Sequence, residues 1–71
     1  MKLTVLIERE GNEFVSRCPE LNIASQGNTK KEALNNLQEA VELFLEHADK
    51  QEIESRLASE VYISQFEASY A

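Results

Sequence analysis

The sequence predicts an α+β fold: a three-stranded antiparallel sheet, one long amphipathic helix on one face, then a fourth strand, in the order β-β-β-α-β. Three observations carry this. Residues 2–8 alternate with period two and run into Gly11-Asn12. A capping motif at Thr29 opens a run of apolar residues spaced by three and four. Residues 61–70 are rich in β-branched and aromatic side chains.

In the first segment Leu3, Val5 and Ile7 share one face, and Thr4, Leu6 and Glu8 share the other. Such alternation marks a strand. Gly11-Asn12 suits a hairpin turn, because both residues tolerate positive φ. A second strand is expected over residues 13–18, antiparallel to the first. Pro19 has no amide hydrogen, so it ends that strand or sits at an edge. A third strand is expected over residues 21–26, broken by Gly27-Asn28.

Thr29-Lys30-Lys31-Glu32 has the form of a capping box. The Thr29 hydroxyl accepts from the Glu32 amide, and the Glu32 carboxylate reaches back to the Thr29 amide. Apolar residues then fall at 33, 34, 37, 40, 41, 44, 45 and 48, which makes one stripe on a helix from 29 to about 48. The other face carries Lys31, Asn35, Gln38, Glu39, Glu42, Glu46 and Asp49. Residues 49–60 contain no Gly or Pro, yet the stripe slips after Ala48, so a frayed or restarted helix is expected. Residues 61–70 should form the fourth strand.

At 71 residues the chain is a single domain, residues 1–71. A core this small is thinly stable. One cysteine rules out an internal disulfide, and the chain holds one His. Self-association, as a homodimer or higher homo-oligomer, is the remaining remedy. A second subunit or an added strand could also cover the sheet face that carries Leu6. The apolar runs are far too short to span a membrane, and the N-terminus lacks a signal-peptide pattern. A lone cysteine without an export signal fits a cytoplasmic location.

The net charge is −6. Residues 1–31 hold five basic and four acidic side chains, residues 32–60 two basic and eight acidic, and residues 61–71 one Glu. The excess acid therefore sits on the long helix and the stretch after it. Direct nucleic-acid binding is not expected of such a field, whereas a basic protein partner is. Glu39, Glu42 and Glu46 share a helix face and could in principle gather a cation, but a solvated face is the simpler expectation. No metal or cofactor is expected.

Catalysis needs a constellation that the sequence does not supply. The two glycines are sixteen positions apart, so there is no phosphate-binding loop. No Ser/His/acid or Cys/His grouping is suggested. His47 reads as a border residue favoured near a helix C-terminus, and Cys18 as a small apolar residue near a strand end. The chain is therefore expected not to be an enzyme.

Cys18-Pro19-Glu20-Leu21, then Gln26-Gly27-Asn28-Thr29-Lys30-Lys31-Glu32-Ala33, then Asn36-Leu37-Gln38-Glu39-Ala40, resembles the HicB-like antitoxin family over about residues 1–46. Asn28 stands where the family usually has Asp, and Asn22-Ile23 where a Pro-Gly pair is frequent. The resemblance implies a partial ribonuclease-H-like fold. It also implies a role: binding and neutralising a small basic HicA-type toxin that cleaves mRNA. Many family members add a C-terminal DNA-binding module, which is not seen in these 71 residues, so direct operator binding is not expected. Nuclease activity is not expected either, because the first strand holds no interior acid for a metal. Within the matching motif, Pro19, Gly27, Thr29, Glu32 and Ala33 are expected to shape the turn and the helix start. Toxin contact is expected of Glu39, Glu42, Glu46 and Asp49, chosen for charge and exposure. A solitary oligomeric scaffold or small-ligand-binding domain is the alternative.

Overall fold

The computed structural model describes residues 1–70. Five elements follow one another: β1 (Leu6–Glu10), β2 (Glu13–Cys18), β3 (Ile23–Gly27), α1 (Lys30–His47) and α2 (Lys50–Leu57). The strands form one antiparallel sheet in the order β1-β2-β3. The α+β class and the three-stranded sheet under a long helix agree with expectation.

β1 and β2 meet at a two-residue turn, with Glu10 opposite Glu13. Gly11 alone takes positive φ there, at 62°. That is the pattern of a type II′ turn, whose twist matches the flanking strands. Extending the register places Thr4 opposite Pro19, which has no amide hydrogen to give. The Thr4 amide donates instead to both oxygens of Glu20, at 3.1 Å each, and the Thr4 hydroxyl donates to the same carboxylate. The ladder therefore begins at Leu6, later than the expected residue 2. β3 also begins later than expected. Leu21 and Asn22 belong to a turn in which the Asn22 amide donates to the Pro19 carbonyl and Asn22 takes φ 55°.

Gly27 ends β3 against the first turn of α1. A Cβ there would lie 2.6 Å from the Ala33 amide nitrogen, so no other residue fits without movement. Thr29 caps α1 in extended geometry, its hydroxyl accepting from the Glu32 amide at 3.0 Å. The Glu32 carboxylate accepts from Asn28, not from the expected Thr29 amide. Two amides at the helix start, those of Asn28 and Glu32, thus find side-chain oxygens.

α1 lies chiefly over β3 and β2 and barely over β1. The core is Cys18, Leu21, Leu37 and Val41, joined by Leu3, Ile23, Phe44 and Leu45 at its margin. Ser16 is fully buried on β2, and its hydroxyl donates to the Ala33 carbonyl at 2.8 Å. A buried hydroxyl needs such a partner, and this one joins sheet to helix. The opposite sheet face alternates Leu6 and Glu8 on β1, Val15 and Arg17 on β2, and Ala24 and Gln26 on β3. In register, each apolar residue sits beside a polar one.

The second helix is a clean restart. Asp49 caps α2 by accepting from the Glu52 amide at 2.8 Å. The expected fourth strand is a correction: residues 60–70 pair with no strand and are exposed throughout. β-Propensity describes a residue's fit to a sheet, and composition alone does not supply the pairing edge.

Candidate functional site

α1 offers its outer face as the candidate surface. Thr29 fixes where the helix starts, and the buried stripe Ala33, Leu37 and Val41 fixes its rotation. Glu39, Glu42 and Glu46 then fall on the exposed side. Positions three and four apart on a helix are neighbours, so these carboxylates form one acidic ridge.

The ion pairs among the described residues are Lys50–Glu54 and Arg56–Glu52, both within α2. None involves Glu39, Glu42 or Glu46. Glu46 also lies in the last turn of α1, where the helix dipole favours cations. This charge therefore does little for the helix that carries it.

Asp49, expected on the same ridge, is exposed but engaged as the α2 cap. The motif residues do not join the ridge either. Pro19 serves the turn into β3, and Gly27, Thr29, Glu32 and Ala33 build the start of α1. Ala33 is buried, and its amide donates to the Thr29 carbonyl at 2.9 Å.

An apolar groove runs beside the ridge. It has a volume of about 350 Å³ and lies where α1 leaves the N-terminal part of the sheet uncovered. Met1, Leu3 and Val5 form one wall, Leu37, Val41 and Leu45 the other, and Glu42 stands at its border. The groove was not legible in the sequence, because it results from the sideways offset of α1. The sequence does show Leu3 and Val5 sharing a face with Ile7; that they precede the first ladder pair is seen only in the fold.

Two polar clusters were also missed. The Glu20 carboxylate is held below its usual range, first by the Thr4 hydroxyl, against an opposing desolvation. Beside it, burial pushes the Cys18 thiol up, which keeps it protonated and unreactive. The second cluster is centred on Arg56. Its guanidinium donates to the Leu21 carbonyl and to Glu52, and lies 4.3 Å from the centre of the Phe44 ring. The Glu52–Arg56 spacing was visible in sequence; the link to Leu21 was not.

His47 is exposed at the end of α1. Among the described residues, no group of three or more His, Cys, Asp or Glu side chains is placed to hold a metal ion. No helix among them is long and apolar enough to cross a membrane. Comparison with protein-family models, curated proteins and solved structures gave no match.

Proposed function

We propose that this chain is an antitoxin-like protein of the HicB type. It binds a small basic HicA-type toxin and neutralises it by covering the surface that cleaves mRNA. One observation carries most of the weight: an exposed ridge of three carboxylates without ion-pair partners among the described residues, beside an apolar groove. Acids facing a basic partner speed encounter and set orientation, while apolar contact supplies affinity. A toxin surface that meets RNA phosphate is basic by necessity, and the ridge is its electrostatic complement.

The binding is non-catalytic and takes place in the cytoplasm. Nucleic acid is not a direct ligand of this chain. The fold belongs with the partial ribonuclease-H-like arrangement, its fourth strand forming only when an edge is supplied. The expected contacts are Glu39, Glu42 and Glu46, with Asp49 contributing charge but not a free side chain.

The alternative is a solitary oligomeric scaffold or small-ligand-binding domain without a toxin. The groove favours it, since its volume falls at the lower end of small-molecule sites, about 300–1,000 Å³. Co-expression separates the two. A small basic protein encoded next to this chain should arrest growth by itself, be rescued by co-expression, and co-purify with it. Arrest without rescue would reject the antitoxin assignment.

A further inference from the structure

Among the described residues, the segment 61–70 and the outer edge of β1 are each left without a strand partner. We propose that residues 61–70 add as a fourth strand to the free β1 edge of a second copy of this chain, and that the exchange is reciprocal. The proposal is independent of the toxin reading.

The tail has the pattern of a half-buried strand. Tyr62, Ser64, Phe66, Ala68 and Tyr70 form an uncharged face, alternating large and small. Val61, Ile63, Gln65 and Glu67 form the other. Tyr62 is 90% exposed, Phe66 89% and Tyr70 99%. Three aromatic residues at every second position of one strand face are a large apolar surface to leave in water.

The two sheet edges differ. On the β3 side, the Gln26 carbonyl accepts from the Asn36 side chain at 2.8 Å, and the Leu21 carbonyl just before the strand accepts from Arg56. α1 also lies over that edge. The β1 side is open, and it continues into Met1, Leu3 and Val5, which wall the apolar groove. A strand added there would set its uncharged face against Val41 and Leu45 and close the groove.

Lengths match. The edge from residue 1 to 10 and the tail from 61 to 70 each span about 33 Å when extended. Areas match as well. The six aromatic rings of two exchanged tails would together bury about 900–1,500 Å². A specific interface needs about 1,200–2,000 Å². Arg56 holds the end of α2 against Leu21, and the tail that follows pairs with no strand of its own sheet. One chain thus carries both an unmatched strand and an unmatched edge. Two copies satisfy both at once through a two-fold contact.

The test is the mass of the full chain in solution, by sedimentation at tens of micromolar and without any toxin. The native chain should sediment at twice 8.1 kDa. The double substitution Tyr62→Asp/Phe66→Asp should give the single-chain mass with the helical far-UV circular dichroism retained and only the strand signal of the tail lost, since both side chains stand in solvent in the single chain. Gln65→Lys, on the other face, should remain dimeric. A single-chain mass for the native protein, or a dimer that survives the double substitution, would overturn the proposal. Dissociation by Gln65→Lys to the same degree would overturn the assignment of faces. Failure of toxin binding would leave this result untouched, and the reverse holds too.

Discussion

Arg56 donates a 2.8 Å hydrogen bond to the carbonyl of Leu21, 35 residues before it. This is the main tie between α2 and the rest of the molecule. The same guanidinium lies over Phe44 and pairs with Glu52. One side chain therefore joins the turn before β3, the end of α1 and the body of α2. Arg56→Ala should cost about 1–2 kcal/mol in urea unfolding, the scale of one charged hydrogen bond with ring contact. Arg56→Lys should retain charge but lose the planar stacking, and fall between. Equal stability of all three proteins would show that α2 is not held by this residue.

The junction between β3 and α1 should tolerate little. Gly27→Ala brings a methyl group within 2.6 Å of the Ala33 amide nitrogen, and backbone must move. The expected loss is about 1–3 kcal/mol, as for an overpacked core. Thr29→Ala removes the acceptor for the Glu32 amide and should cost about 1 kcal/mol. Thr29→Ser keeps the acceptor and should cost far less. Thermal melting of the three variants checks the order.

Acid should weaken the fold through Glu20. Its carboxyl is held below its ordinary 4.5 in the folded chain by the Thr4 hydroxyl. The unfolded chain therefore takes up that proton first as pH falls. The stabilisation is present above pH 4.5 and is lost as pH drops through the lowered value. Thr4→Val removes the hydroxyl and should flatten the decline, read as melting temperature against pH. An unchanged acid limb would mean that Thr4 does not hold the carboxylate.

Much of this architecture was legible in local pattern. The hairpin, the capped start of α1 and the rotation of its apolar stripe all depend on residues within a few positions of one another. So does the acidic ridge, because helix periodicity and charge suffice to place Glu39, Glu42 and Glu46 together. What was missed depends on distant partners. Thr4 meets Glu20 because the register brings Pro19 opposite, and Arg56 meets Leu21 only once α2 turns back. The restart at Asp49 was foreseen as a possibility, but its cap role removed that residue from the free ridge. The tail at 61–70 carries strand composition without a strand, because pairing needs an edge that sequence pattern does not supply.

The ridge should act on association more than on dissociation. Glu39→Lys/Glu42→Lys exposes two cations where a basic partner approaches. Complex formation with the toxin should slow by about tenfold or more at low salt, and its dependence on ionic strength should flatten. Stopped-flow mixing over a range of salt concentrations reads both. The variant's own unfolding should change little, since neither carboxylate forms an ion pair among the described residues.

Inhibition of the toxin tests the central claim most directly. A HicA-type toxin is purified, and its cleavage of RNA is followed while this chain is titrated in. Cleavage should fall in proportion to added chain and stop near one equivalent. Cleavage that continues unchanged at a tenfold excess would contradict the antitoxin assignment.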